Sequence, residues 1–159
     1  MTGETPADAG CIFCAAGAPA ASPDDPLVVA RGRHVFVILN RYPYNTGHLM
    51  VVPRRHVATL AATTADERLE IVELVRRAEM ALTDAYRPDG LNVGINLGRP
   101  AGAGIADHLH VHLVPRWSGD TNFMTVVGEV RVVPEALEAA ATRLKPIFER
   151  LANQGVTGE

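Results

Sequence analysis

The chain has few of the residues on which several common function classes depend. Its 159 residues include only two serines, Ser22 and Ser118, and neither stands in the G-x-S-x-G pattern of an esterase nucleophile elbow. No G-x-x-x-x-G-K-[ST] stretch is present, which excludes a P-loop. The two cysteines are too few for a disulfide framework, so a small secreted scaffold is disfavoured.

Hydropathy and charge limit the compartment and the partners. No apolar run approaches the roughly 20 residues that a membrane span requires. The first ten residues, MTGETPADAG, lack the basic start and apolar stretch of a secretory signal, so we expect a cytoplasmic protein without a membrane partner. The 15 basic and 18 acidic residues give a net charge of -3, which disfavours a nucleic-acid partner because that partner needs a broad basic face.

The hydrophobic pattern predicts an α+β fold with a mostly antiparallel sheet of about five strands. Runs rich in branched aliphatic residues, bounded by glycine, proline or asparagine, predict the strands. These runs lie at 27–31, 34–40, 48–53, 91–97 and 108–115. We expect an N-terminal arm over 1–26, one domain over 27–151 and a tail over 152–159.

Two helices complete the predicted fold. A capping box at Thr64–Glu67 should open a long crossover helix whose buried stripe includes Leu69 and Val72. A C-terminal helix should begin at Pro134. Pro146 should kink or split that helix, because proline cannot donate the backbone hydrogen bond of a helix interior.

Three of the six histidines alternate along the last predicted strand. Since residues two apart in a strand point to the same face, His108, His110 and His112 should project together at spacings of about 6.5–7 Å. Imidazole can act as a nucleophile, as an acid or base, or as a metal ligand. A catalytic cluster is the favoured interpretation, and a metal site or a solvated strand face are the alternatives.

A glycine-rich loop, RPAGAGIAD (99–107), directly precedes these histidines. The backbone amides around Gly102 and Gly104 could approach a phosphate closely, because glycine lacks a side chain. The loop leads into a strand and not into a helix, so it is not a dinucleotide-binding fingerprint. Its position suggests a phosphate held over a nucleophilic histidine.

Cys11 and Cys14 have the C-x-x-C spacing of two tetrahedral zinc ligands. The pair forms only half of such a site, because structural zinc requires four ligands. A redox-active pair and two reduced, buried thiols are the alternatives that this spacing leaves open.

The motif HLHVHLV (108–114) matches His-x-His-x-His-x-x with apolar residues at x, and the chain thereby resembles the histidine triad (HIT) family. The segments CIFC (11–14) and LNRYPYNTGHLMVVPRRHV (39–57) extend the resemblance across much of the chain. The continuation PRWSGDTNFM (115–124) is similar to a bacterial branch that includes diadenosine tetraphosphate phosphorylases.

This resemblance implies cleavage of dinucleoside polyphosphates at the α-phosphate through a covalent nucleotidyl-histidine. By position, His110 would be the nucleophile and His112 would bind the leaving or bridging oxygen. His48 would support the site, Asn40 would contact the ribose hydroxyls and Asn96 would lie near the phosphate chain.

The resemblance also implies roles for His108 and for a metal. The carbonyl of His108 would orient the nucleophile, while its side chain would join Cys11, Cys14 and His56 around a structural zinc. A homodimer is the expected assembly, and a nucleotide is the expected small-molecule substrate.

One departure from the family pattern bears on the second acceptor. Many members carry Gln, Ser or Thr where this chain has Gly104, so water or inorganic phosphate could accept the nucleotidyl group. The alternatives are a nucleoside phosphoramidate or adenylyl hydrolase, and a zinc-stabilised nucleotide-binding module without turnover.

Several further residues are candidates without a firm role. Trp117 could stack on a base, and the guanidinium groups of Arg54, Arg55 and Arg116 could attract polyphosphate. Two polar residues could border the site, and one histidine matches no motif. These are Asp120, Asn122 and His34.

Overall fold

The computed structural model describes residues 10–19, 25–120 and 135–155. Five strands are present in these ranges: β1 (Val28–Arg31), β2 (Val35–Leu39), β3 (Leu49–Pro53), β4 (Gly90–Ile95) and β5 (Val111–Arg116). They form one sheet in the order β1-β2-β3-β5-β4, and every neighbouring pair is antiparallel. The predicted α+β fold is therefore confirmed.

The last strand begins three residues later than predicted. It pairs with β3 as far as Val51 opposite Val111, and continuing the ladder would place Pro53 opposite Leu109. Proline has no amide to donate, so the ladder stops there. The Leu109 amide donates to the Val57 carbonyl at 2.7 Å, and His108–His110 therefore lie before the strand, outside the ladder.

The long helix α2 (Ala65–Tyr86) begins as predicted, with both hydrogen bonds of the capping box between Thr64 and Glu67 present. The expected burial of two of its residues is wrong. Leu69 and Val72 are 72% and 68% exposed. The buried face instead follows the spacing of three and four residues through Ile71, Leu74, Ala78, Ala81 and Leu82. At about 100° per residue, Leu69 and Val72 lie on the opposite side of the helix.

The C-terminal helix α3 (Leu137–Gln154) is unbroken through Pro146, so the expected split does not occur. Its buried face runs past the proline on both sides and stabilises the helix by packing on the core. That face consists of Ala140, Ala141, Leu144, Phe148 and Leu151. The predicted start at Pro134 lies outside the described residues, and α3 extends three residues into the expected tail.

A short helix, α1 (Ile12–Gly17), lies within the N-terminal arm, where no helix was predicted. Phe13 is buried in the core, and Gly17 lies so close to the Phe36 ring that an added Cβ would come within 2.7 Å of it. Arg54 donates to the Gly17 carbonyl at 2.6 Å, which fixes the end of the helix to the sheet. Within the described ranges, no helix combines the length and the hydrophobicity needed to cross a membrane.

Candidate active site and metal centre

Four side chains from three parts of the chain form a cluster of metal-ligating atoms. Cys11 and Cys14 stand at the start of α1, His56 follows β3 and His108 precedes β5. Their ligand atoms all lie within 4.8 Å of one another. The family resemblance implied this grouping, and the structure brings all four residues together.

Three sulfur-to-nitrogen distances within this cluster are close to those around a tetrahedral ion. The Sγ atoms of Cys11 and Cys14 lie 3.4 Å and 3.6 Å from His108 Nδ1, and Cys14 Sγ lies 3.2 Å from His56 Nδ1. Bonds of about 2.0–2.3 Å in a tetrahedron place such ligand atoms about 3.3–3.8 Å apart. Two thiolates and two imidazoles are a donor set that zinc prefers.

The hydrogen bonding of His108 prepares its ring for a metal. His108 Nε2 lies 2.8 Å from the Pro53 carbonyl oxygen, which can only accept, so Nε2 carries the proton. The lone pair of Nδ1 then faces the two sulfur atoms. A ligating histidine is commonly oriented in this way by a second hydrogen bond.

The next histidine along the chain is oriented by the backbone of this ligand. His110 Nδ1 donates to the His108 carbonyl at 2.8 Å, so the neutral ring keeps a lone pair on Nε2. His110 is buried, and the Phe13 ring lies 5.1 Å from it and 5.4 Å from His108. Through Phe13, helix α1 packs against both the metal cluster and the candidate nucleophile.

The side chains of His48 and His112 are hydrogen-bonded to each other beside His110. His48 Nε2 lies 2.9 Å from His112 Nδ1, and the rings of His110 and His112 are 4.7 Å apart. Burial, followed by the charges of His112 and His110, lowers the pKa of His48 to about 3. Burial and then the charge of His110 lower the pKa of His112 to about 4. Both rings are therefore neutral near pH 7, and each can donate through only one nitrogen.

Gly47, directly before His48, has a backbone conformation and a close contact that favour glycine. Its φ of +77° is in the left-handed region, and an added Cβ would lie 2.8 Å from the Tyr86 ring of α2. Both conditions favour glycine at this position. Asn40 stands at the other end of the same loop, with its Nδ2 3.4 Å from His48 Nδ1, so this predicted ribose contact does lie beside the histidine cluster.

The glycine-rich loop differs from its predicted arrangement. The Gly102 amide donates to the Arg99 carbonyl at 2.9 Å and the Ala103 amide donates to the Gly98 carbonyl at 3.3 Å, so neither is free for a phosphate. In the described part of the chain, the Gly104 amide has no hydrogen-bond acceptor, and a Cβ there would meet nothing within 4 Å. The side-chain nitrogen Nδ2 of Asn96 would lie 3.7 Å from a Cβ added at Gly102, which places Asn96 beside this loop.

The candidate polyphosphate-binding arginines have structural contacts instead. Arg54 donates to the carbonyls of Gly17 and Gly32, and Arg55 forms two hydrogen bonds to Glu67, whose side chain is buried. Arg116 binds both carboxylate oxygens of Asp120. These contacts do not favour the hypothesis that the three guanidinium groups attract the substrate.

The remaining candidates are Asp120, His34 and Asn122. Asp120 accepts a hydrogen bond from the Trp117 amide at 2.9 Å, and it contacts the loop before His48 through Asn45. The His34 amide donates to Glu70, which gives its backbone a structural partner. Asn122 lies outside the described residues.

Sequence reasoning missed two residues of the loop before His48. The Tyr44 ring lies 4.8 Å from the His48 ring and 6.2 Å from the His112 ring. Asn45 is buried and donates to the Pro115 carbonyl and to Asp120, each at 3.0 Å. No spacing within the sequence reveals these contacts, because the partners of Asn45 lie 70 and 75 residues away.

Comparisons with known proteins agree with this arrangement. A family model described as the HIT domain matches residues 24–119. AP-4-A phosphorylase of Mycobacterium tuberculosis is 50% identical over 119 residues, which cover 75% of this chain and 61% of that protein. The chain thus spans about three fifths of the length of this relative.

Solved structures with the same fold come from a bacterium and an archaeon. A Zn-bound histidine triad family protein from Mycobacterium smegmatis superposes with a TM-score of 0.73 at 23% identity, over 92% of this chain and 99% of that one. A hypothetical histidine triad nucleotide-binding protein from Sulfolobus tokodaii gives 0.72 at 27% identity, over 91% and 95%. With a family match over more than half of its length and a triad of clustered histidines, the chain belongs to the histidine triad (HIT) family.

Proposed function

We propose that this protein cleaves dinucleoside polyphosphates at the α-phosphate, with His110 as the nucleophile. The observation that carries this proposal is the hydrogen bond from His110 Nδ1 to the His108 carbonyl. It holds the ring in the tautomer whose Nε2 has a lone pair, as nucleophilic attack requires. The 50% identity to an AP-4-A phosphorylase supports this substrate class.

The proposed reaction proceeds in two displacements. His110 Nε2 attacks the α-phosphorus, and the bond from phosphorus to the bridging oxygen breaks. With diadenosine tetraphosphate, ATP leaves and an adenylyl group remains on the imidazole. His112 donates a hydrogen bond to the departing oxygen. An acceptor then attacks the same phosphorus, and the bond from His110 to phosphorus breaks.

Inorganic phosphate is the proposed acceptor, which would make the overall products ADP and ATP. Among the described residues the Gly104 amide has no acceptor, and this amide and the open space at Gly104 support a second oxyanion beside the nucleotide. An amide that lacks an acceptor is a suitable donor to phosphate. Water in place of phosphate would give AMP and ATP.

Product analysis distinguishes these outcomes. We expect diadenosine tetraphosphate to give ADP and ATP when phosphate is present, and to give no products when it is absent. Ion-exchange chromatography of quenched reactions would measure both. AMP and ATP in the absence of phosphate would instead indicate hydrolysis. Cleavage of a nucleoside phosphoramidate, with no cleavage of the tetraphosphate, would contradict the proposed substrate class.

We also propose that Cys11, Cys14, His56 and His108 hold a structural zinc ion. The cluster supplies four protein ligands, so a bound zinc would have no open position for a substrate or water. Coordination to a bound zinc would join α1 to the segment that carries His110. Its function is then to stabilise the site, and the phosphorus chemistry belongs to the other histidines.

A homodimer is the proposed assembly. Strand β4 is an edge of the sheet, and its Val93 is 50% exposed. Helix α2 exposes Leu69 and Val72. An edge strand and apolar side chains left in water favour pairing with another chain, and a second copy of this chain carries the same surface.

Lysine substitutions test this assembly. We expect the wild type to have twice the mass of one chain in light scattering coupled to size-exclusion chromatography. Val72→Lys and Val93→Lys should each shift the protein toward the monomer, because a charge would be buried in the interface. Ala139→Lys, on the exposed face of α3, is the matched control and should remain dimeric. A monomeric wild type would contradict the proposal.

A further inference from the structure

The protonation of His48 is determined by a backbone amide. The Tyr44 N–H donates to His48 Nδ1 at 3.1 Å, and a backbone amide can only donate. Asn40 Nδ2 lies 3.4 Å from His48 Nδ1 and 3.5 Å from His48 Nε2, so the Tyr44 amide alone decides the assignment. Nδ1 of His48 is therefore an acceptor, and the neutral ring carries its proton on Nε2.

This assignment determines the state of His112. His48 Nε2 lies 2.9 Å from His112 Nδ1, so the proton on Nε2 makes His112 Nδ1 an acceptor. The neutral His112 ring must then carry its own proton on Nε2. That nitrogen is the donor which the departing oxygen needs. Three donors therefore follow one another: the Tyr44 N–H donates to His48, the His48 Nε2–H donates to His112, and the His112 Nε2–H remains for the substrate.

Asn45, next to Tyr44 in the chain, is buried and hydrogen-bonded to Asp120. Asn45 is 6% exposed, and its Nδ2 donates to both the Pro115 carbonyl and Asp120 Oδ2. The Asn45 carbonyl accepts from the His48 amide at 3.3 Å. These bonds hold Asn45, the residue that follows Tyr44 in the chain.

Asp120 is itself rigidly held. It accepts hydrogen bonds from the Arg116 guanidinium and from the Trp117 amide. The Arg116 guanidinium holds the pKa of Asp120 well below its usual range, so the carboxylate stays ionised. Hydrogen bonds thereby connect the loop after β5 with the loop before β3. These two strands are neighbours in the sheet.

We propose that Asn45 and Asp120 are positioning residues that hold the Tyr44 amide on His48 Nδ1 and thereby keep His112 protonated on Nε2. The inference rests on the proposed function only in that His112 Nε2 faces the substrate. The tautomers themselves follow from the hydrogen bonds. Neither residue touches the reacting atoms, and both act through the donor chain.

The test combines a spectroscopic signature with kinetics. In ¹⁵N-labelled wild type near pH 7, NMR should show His48 and His112 both protonated on Nε2 and bare on Nδ1. N45D places a carboxylate against the Pro115 carbonyl and Asp120, which both accept, so the loop should move. We expect mixed tautomers in N45D and a kcat lowered roughly 10- to 100-fold, with KM changed less than about twofold.

The controls separate this inference from a folding defect and from the proposed function. N153D introduces the same charge on the exposed face of α3 and should match the wild type in both measurements. If N45D does not fold, D120N replaces it with the same expectations, since it removes the charge that binds Arg116. The tautomers are measured without substrate, so they decide the inference even if no nucleotide is turned over. A wild-type His48 protonated on Nδ1, or a folded variant with wild-type tautomers and kcat, would overturn it.

Discussion

His110→Ala is expected to lower turnover of diadenosine tetraphosphate by about 10³-fold or more. The substitution removes the only nitrogen proposed to form a bond to phosphorus, so the two-step route is lost. Asn40 and the Gly104 amide remain, and the dissociation constant for nucleotide should stay within about tenfold of the wild-type value. Single-turnover kinetics and isothermal titration calorimetry measure the two quantities separately.

His34→Ala is the matched control for this substitution. His34 is a histidine just before β2 whose amide donates to Glu70, and within the described ranges its side chain has no contact with the site. Its removal should leave turnover unchanged. Because His110 packs on Phe13, zinc content and thermal stability of His110→Ala should be measured alongside. A folded His110→Ala with wild-type rates would show that the nucleophile is a different residue.

Removal of zinc is the second change with a large expected effect. A ligand present at 1,000 times its dissociation constant stabilises the folded state by about 4 kcal/mol. For a domain of this size, that corresponds to a fall in Tm on the order of 10 °C when the metal is removed. We expect purified protein to contain about one zinc per chain by mass spectrometry of the metal. A strong chelator should produce this fall in differential scanning calorimetry.

The double variant Cys11→Ser with Cys14→Ser tests whether this fall depends on the cluster. The variant should lack zinc, should melt near the temperature of the chelated wild type, and should not respond to chelator. Addition of zinc should restore the Tm of the chelated wild type but not that of the variant. A wild type without metal, in which both thiols titrate freely and chelator has no effect, would contradict the proposed site.

Local patterns predicted the elements that depend on local physical chemistry. The capping box at Thr64 and the alternation of branched residues gave a helix start and five strands close to those observed. The metal cluster was also predicted, because the C-x-x-C spacing indicates Cys11 and Cys14 and the family resemblance implies His56 and His108. Helix α1 was not, since six residues have little helical stability alone. It is held by the packing of Phe13 and by Arg54.

The remaining differences have causes that are distant in sequence. The start of β5 is delayed by Pro53, which lies on another strand. Leu69 and Val72 are apolar and yet exposed, and apolarity alone does not reveal which face of a helix meets the sheet. The contacts of Asn45 with Pro115 and Asp120 join two loops, so neither loop indicates the connection by itself. The proposed nucleophile His110 and its neighbour His112, by contrast, lie in one short motif.

The stereochemical course at phosphorus tests the covalent histidine most directly. An analogue of diadenosine tetraphosphate with sulfur at one α-phosphorus, of known configuration, is cleaved with inorganic phosphate. The configuration of the resulting ADP analogue is then read by ³¹P NMR. Two displacements through His110 invert the centre twice, so the account predicts retention of configuration. Inversion would mean that phosphate attacks the substrate directly and would contradict the nucleotidyl-histidine.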